Sequence, residues 1–313
     1  MQYQTLANGV KIPQLGYGVY QVTKEECERC VSDAVAVGYR HFDTAQSYFN
    51  EEEVGGAIKK SGIAREEFFI TTKVWIEHYG FESCKKSVLE SMRKLQTDYV
   101  DLVLLHQPFA DYYGAWRALE ELYAEGRLRA IGVSNFYPDR LVDLCCFAKI
   151  KPMVNQVEAH PRNQQIEAQK WMEKYGVQIE AWAPLGEGRG GLLTDPVIGG
   201  IAEKYGKTAA QVILRWELQR GMVVIPKSVR KERMEQNFDV FDFELSDKDM
   251  EAMAGLDKKE SSFFSHADPK NGGMVCGYGR GEEKQSRKRQ REKELVKNME
   301  TKTPPRQLDR CHK

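Results

Sequence analysis

Four side chains in the first third of the chain have the types and spacing of a proton-donating site. Asp43 closes the apolar run "HFD", and Tyr48 follows five residues later in "DTAQSYFNEEEVG". Lys73 lies near the end of "FFITTK", and His106 ends "VDLVLLH". An ammonium buried in an apolar strand costs several kcal/mol unless it is paired, and Asp43 is the candidate partner. A free phenol, with a pKa of about 10, is too weak an acid to protonate a carbonyl quickly at neutral pH. A neighbouring ammonium favours the phenolate, so Lys73 is expected to lower the pKa of Tyr48. Asp43 would keep Lys73 charged and aimed, and His106 would hydrogen-bond the carbonyl oxygen. The product of such a site is a hydroxyl. No side chain donates hydride, so it must come from a nicotinamide or a flavin.

These residues converge only if the elements carrying them lie side by side. The chain alternates short apolar runs with longer amphipathic stretches. A hairpin comes first, with its turn at Asn8-Gly9, and the first strand–helix unit is "QLGYGVY" with a helix from about Lys24. Strand–helix pairs then follow through "HFDTA", "EFFITTKVW", "YVDLVLLHQP", "LRAIGVSNF", "PMVNQVEAH", "VQIEAWAPL" and "MVVIPKS". The strands read as apolar on both faces, as in a buried parallel sheet. The stretch "VIGGIAEKYGKTAAQVILRWELQR" reads as one helical segment, with Asp195-Pro196 as its cap and first turn. Eight strand–helix units predict an α/β fold, a (β/α)8 TIM barrel behind an N-terminal β-hairpin. Catalytic groups then belong at the C-terminal ends of the strands. An open doubly wound sheet is the alternative. "GEGRGG" (186–191) satisfies G-x-G-x-x-G, but it does not open a helix directly after the first strand, so it reads as a loop beside a ligand.

Composition narrows the function classes. Of the 313 residues, 41% are hydrophobic and 29% charged, the balance of an ordinary globular protein, and the formal net charge is zero. Charge alone therefore points to no nucleic acid or membrane. No apolar run approaches the ~18–20 residues of a membrane span, and "MQYQTLANGVKIP" has no secretory pattern. The seven cysteines suit a reducing cytoplasm. Cys27 and Cys30 form a CxxC without a matching second pair, so they read as helix residues and no metal is expected.

The motifs "DTAQSYFNEEEVG", "TTKVW", "LLHQP", "GVSNF", "EAWAPLG" and "IPKSVRKERMEQN" together resemble the aldo-keto reductases, nearest the bacterial 2,5-diketo-gluconate and methylglyoxal reductase branch. The resemblance covers roughly residues 1–270. It implies a barrel that binds NADPH and reduces aldehydes and ketones, with Asp43, Tyr48, Lys73 and His106 as the catalytic tetrad. It also implies that Ser134, Asn135 and Gln156 hold the nicotinamide carboxamide and that Trp182 stacks on the nicotinamide. Lys227, Ser228, Arg233 and Asn237 would bind the 2′-phosphate and adenine. Tyr20, Trp75 and Phe109 are expected to line the substrate pocket. The expected partner is a small carbonyl compound, and the expected state a cytoplasmic monomer. A regulatory protein that binds NADPH on the same barrel with little turnover is the alternative.

The resemblance stops after "SSFFSHADPK", where relatives finish with a short apolar helix. Residues 271–313 hold twelve Lys/Arg against six Asp/Glu, leaving that segment +6 and the rest of the chain −6. Few large apolar groups are available there to offset ordering entropy, so 271–313 is expected to be a disordered basic tail beyond a 1–270 barrel. Nucleic-acid binding through that tail is the remaining reading.

Overall fold

The computed structural model describes residues 1–273 and 275. Tyr3–Thr5 (β1) and Lys11–Pro13 (β2) form the antiparallel hairpin, with Gly9 at positive φ in its loop. Eight parallel strands follow: Tyr17–Gly18 (β3), His41–Asp43 (β4), Phe69–Val74 (β5), Val100–Leu105 (β6), Leu128–Ser134 (β7), Val154–Glu158 (β8), Gln178–Trp182 (β9) and Val223–Val224 (β10). They pair in sequence order. Leu15 bridges Val224 in parallel. Gly16 N donates to Val224 O (2.8 Å) and Val224 N to Gln14 O (2.9 Å). These bonds close the eight strands into the predicted barrel.

A helix follows every strand: Lys24–Val37 (α1), Glu51–Lys60 (α2), Phe81–Leu95 (α3), Tyr112–Ala124 (α4), Pro138–Phe147 (α5), Ile166–Tyr175 (α6), Pro196–Tyr205 (α7) with Ala209–Gln219 (α8), and Lys231–Phe238 (α9). Pro138 and Pro196 occupy first-turn positions, and the Asp195 side chain caps α7 by accepting from Val197 N. Cys27 and Cys30 are buried on α1.

Two readings need correction. The single helical segment after β9 is two helices. Gly206 turns the chain at φ 62°, and Thr208 with Gln211 builds a capping box that starts α8 afresh. A further helix, Asp247–Ala254 (α10), opens on the Ser246–Asp249 capping box. Leu192, Ile198, Ile201, Val212, Trp216, Leu245 and Met253 form one core cluster that buries the apolar sides of α7, α8 and α10 together. The strands, moreover, are buried but not apolar on both faces. His41, Asp43, Thr71, Lys73, Gln156 and Glu180 all lie buried, and each is hydrogen-bonded or ion-paired to another of the set.

Met1–His266 is one compact unit and Ala267 onward a second. In the second unit, Asn271 N and Gly272 N donate to Asp268 O, and helix begins at Pro269. The expectation of a disordered basic tail falls, apart from residues 271–273 and 275, outside the described residues. Among those described, no helix is long and apolar enough to cross a membrane.

Gly55 and Gly56 test how α2 is seated. A Cβ on Gly55 would lie 2.5 Å from the Leu95 carbonyl at the end of α3, whereas one on Gly56 would meet only side-chain tips at 3.9 Å. Gly56→Ala should raise stability by roughly 0.5–1 kcal/mol through helix propensity. Gly55→Ala should lower it by about 1–3 kcal/mol, because neither backbone can give way cheaply. Urea unfolding of the two variants measures both; shifts of the same sign would mean that α2 and α3 do not meet at Gly55.

Candidate active site

Asp43 ends β4, Lys73 lies on β5 and His106 directly follows β6, so three adjacent strands deliver three groups to one end of the barrel. Tyr48 comes from a single 3-10 turn, Gln46–Tyr48, just after β4. That turn is anchored by Trp75 N, which donates to Gln46 Oε1 (3.0 Å). Lys73 is the hub of the cluster. Its Nζ donates to Asp43 Oδ1 (2.5 Å), Thr44 O (3.1 Å) and Tyr48 Oη (3.3 Å), which uses its three hydrogens. Lys73 has no exposed surface and Asp43 is 2% exposed. His106 contacts Tyr48 edge-on, with ring centroids 5.7 Å apart. Its Nδ1 lies 3.4 Å from Ser47 Oγ.

Burial sets the electrostatics. It acts to neutralise Lys73, but Asp43, Tyr48 and Glu180 together outweigh it, with Asp43 the largest of the three, and Lys73 is held above the ordinary lysine value. Burial pushes Tyr48 up to about 12, with Lys73 pulling in the other direction. This corrects the expectation of a net lowering: the ammonium moderates the rise without reversing it. His106 is held well below the ordinary histidine value by burial and by Lys73, so its imidazole is neutral and keeps one N–H to donate.

The residues matched to a nicotinamide site gather beside this cluster. Ser134 ends β7, Gln156 lies on β8 and Trp182 ends β9. Ser134 Oγ donates to Gln156 O (2.9 Å). Asn135 Nδ2 donates to His106 O (3.1 Å) and Ser134 Oγ (3.2 Å), and Trp182 Nε1 donates to Asn135 Oδ1 (2.9 Å). Asn135 sits at φ 64°, a left-handed conformation that asparagine tolerates. Gln156 Nε2 donates to Asp43 Oδ2 (2.9 Å), which ties this group to the catalytic candidates.

Lys227, Ser228, Arg233 and Asn237 form a separate group on the loop after β10 and on α9. Ser228 Oγ accepts from Arg230 N (3.1 Å), which shapes the turn. Asn237 is buried, while Lys227 and Arg233 are exposed and belong to no ion pair among the described residues. Two exposed cations, Lys227 on the loop after β10 and Arg233 on α9, suit a phosphate, and the neutral amides and hydroxyl of Ser134, Asn135 and Gln156 suit a carboxamide. The donor set therefore fits a phosphorylated nicotinamide dinucleotide.

Two of the three expected pocket residues lie against the tyrosine and the histidine. Tyr20 lies 5.0 Å from the Tyr48 ring and Trp75 5.1 Å from the His106 ring. Phe109 stacks on His266 at 6.3 Å. Phe263 and His266 had no role in the sequence reading, although "SSFFSH" is an aromatic pair followed by histidine. Phe263 lies 5.1 Å from Trp182, and His266 Nε2 is 2.8 Å from Gln107 Oε1. Glu158, at the end of β8, holds this segment by accepting from Ser261 Oγ (2.5 Å) and Ser262 N (2.7 Å). Glu180 and His41 were also missed. An acid inside the apolar "VQIEAWAPL" was the same kind of signal as Lys73.

Comparison with known proteins agrees with this geometry. The model of the Aldo/keto reductase family matches residues 13–258. Glyoxal reductase of Bacillus subtilis is 51% identical over 257 residues, covering 82% of this chain and 92% of the relative. Methylglyoxal reductase DkgA of Escherichia coli K12 is 43% identical, covering 81% and 92%. Among solved structures, an aldo-keto reductase from a deep-sea metagenome library of the Medee basin superposes with a TM-score of 0.83 at 42% identity, covering 85% of this chain and 98% of that one. An aldo-keto reductase of Bombyx mori in complex with NADP superposes with a TM-score of 0.80 at 32% identity, covering 84% and 95%. A closed barrel, a buried lysine–aspartate pair bonded to a tyrosine at its strand ends and a family match over most of its length identify this chain as a member of the aldo/keto reductase family.

Proposed function

We propose that the chain reduces small aldehydes and ketones to alcohols, with Tyr48 as the general acid. The observation that carries this reading is the hydrogen bond from a fully buried Lys73 to the Tyr48 oxygen, with Asp43 behind it. Lys227, Ser228, Arg233 and Asn237 would hold the phosphate and adenine end of NADPH; Ser134, Asn135, Gln156 and Trp182 would hold the nicotinamide end. When bound, NADPH supplies the hydride that reaches the carbonyl carbon. As negative charge builds on the carbonyl oxygen, Tyr48 gives it the phenolic proton. An alkoxide is a far stronger base than a phenolate, so the transfer runs downhill even from a phenol raised by burial. Lys73 then stabilises the phenolate, and Asp43 keeps Lys73 from drifting or losing its charge. The neutral His106 donates its N–H to the same carbonyl oxygen, an arrangement that favours the transition state over the ground state.

Aromatic rings from Tyr20, Trp75, Phe109 and Phe263 give the mouth apolar walls, and His106 offers one polar anchor. The relatives named for glyoxal and methylglyoxal point to small α-dicarbonyls as the first substrates to test. All of these residues precede Ala267, so the proposal places the whole machinery in the unit Met1–His266, ahead of the basic segment 271–313.

Tyr48→Phe removes the proton donor and keeps the ring. NADPH affinity should hold while kcat toward methylglyoxal falls by roughly 10²–10⁴, the usual cost of lost acid catalysis. More than a tenth of the activity remaining would exclude Tyr48 as the acid. Arg233→Ala should weaken NADPH by about 10–100-fold and NADH much less, because a charge-assisted hydrogen bond contributes roughly 1.5–3 kcal/mol. Fluorescence titration with both cofactors measures this; equal losses would show that Arg233 does not read the 2′-phosphate.

A further inference from the structure

A second acid–base pair lies in the barrel interior, and the reaction above does not use it. His41 on β4 and Glu180 on β9 both have no exposed surface. Gly16 leaves room for the His41 ring, since a Cβ there would come within 2.6 Å of Nδ1. His41 Nδ1 lies 3.3 Å from the Pro13 carbonyl oxygen. That oxygen can only accept, so Nδ1 carries a hydrogen. Nε2 lies 3.1 Å from Thr71 Oγ1 and 3.7 Å from Glu180 Oε1. Glu180 Oε2 accepts from Gln156 Nε2 (3.2 Å), the same nitrogen that donates to Asp43 Oδ2. Glu180 Oε1 has no hydrogen-bond partner.

The pair can hold its proton in two ways, as imidazolium and carboxylate or as imidazole and carboxylic acid. The charges around it decide between them. β4 brings Asp43 and His41, β5 brings Lys73, β8 brings the neutral Gln156, and β10 brings only Val223 and Val224. Asp43 repels a carboxylate at Glu180, and Lys73 repels an imidazolium at His41. Burial disfavours both charged forms. Burial and Asp43 together raise Glu180 to about 8, while burial and Lys73 keep His41 down at about 3 despite the Pro13 carbonyl. In the neutral form, His41 Nε2 accepts from the Thr71 hydroxyl, and the unpartnered Oε1, 3.7 Å from Nε2, is where an acid proton would lie on the side toward His41.

We propose that Glu180 is a positioning residue that works as a neutral acid: its proton faces His41, and its other oxygen holds the Gln156 amide against Asp43. Gln156 then spends one hydrogen on each acid and cannot rotate away. Lys73 is then left with Asp43 as its anion, and Glu180 does not compete with Asp43 for the lysine. The inference rests on the reductase reading only where it concerns turnover.

Glu180→Gln tests it, because the amide keeps an oxygen for Gln156 and a donor toward His41 but cannot ionise. A folded acid held at about 8 keeps a proton that the unfolded chain releases above about 4.5. The native state of the parent is therefore favoured by this group at low pH and loses that advantage as pH rises toward 8. The Tm of Glu180→Gln should accordingly gain on that of the parent between about pH 5 and pH 8, by several degrees. Glu180→Leu, which drops the bond to Gln156 and the acid proton, should lower NADPH-dependent turnover at least about tenfold, and Glu180→Gln should restore most of it. A Tm difference that stays constant with pH, or a Glu180→Gln as inactive as Glu180→Leu, would overturn the proposal in favour of a working carboxylate paired with imidazolium. If Glu180→Leu does not fold, the Tm comparison of Glu180→Gln with the parent decides alone. That comparison uses no substrate, so its failure is separable from a failure of the reductase reading.

Discussion

A charged lysine held inside a barrel by one aspartate is the constraint on which the rest of the structure depends. Lys73 has no exposed surface, and its three hydrogens go to Asp43, Thr44 O and Tyr48. Removing either partner of a buried pair leaves a charge without compensation, a change that costs several kcal/mol. The pair therefore fixes β4 against β5 and, through Lys73, fixes where the phenol can be. Parallel register supplies the rest, since Asp43 pairs with Thr71 and Lys73 with Leu104 along neighbouring strands.

One charge pair is tolerable in this interior because its surroundings are neutral. His106 and His41 are both held uncharged by burial and by Lys73. Gln156 connects the layers of the site. It bonds Asp43 on one side and Glu180 on the other, and its backbone carbonyl accepts from Ser134. The catalytic candidates and those for the nicotinamide end are thus parts of one hydrogen-bond network rather than neighbouring sites. A loss at one position should be felt at the others, as is general for buried polar networks.

Much of this was legible in the sequence, for physical reasons that differ by residue. Strand–helix alternation exposed the barrel because short apolar runs and longer amphipathic stretches alternate over eight units, a pattern that chance seldom sustains. Pro138 and Asp195-Pro196 marked helix starts because proline has no N–H to leave unpaired in a first turn and an aspartate side chain accepts from one. Lys73 was conspicuous because an ammonium in an apolar strand needs a partner. The break between α7 and α8 was not legible, since Gly206 and Thr208 sit inside an otherwise continuous helical pattern. Nor was the closing bridge from Leu15 to Val224, which is made by backbone atoms that any residues would supply. The acidity of Tyr48 was misjudged because a sequence shows which charge is near but not how much water is excluded, and here burial outweighs the lysine. Glu180 was overlooked because nothing in "VQIEAWAPL" says that its carboxyl faces a histidine from the far side of the barrel.

The dependence of everything on the Lys73–Asp43 pair can be tested directly with the pH profile of kcat for Asp43→Asn. An asparagine keeps the shape of the site but removes the anion. Burial then loses its largest opponent at Lys73 and favours loss of the proton, since desolvation lowers a buried lysine. Turnover at neutral pH should fall at least about a hundredfold, and part of it should return as the pH is lowered and Lys73 regains its charge. An Asp43→Asn enzyme that keeps the activity and the pH profile of the parent would contradict a site built on a charged, aspartate-held lysine.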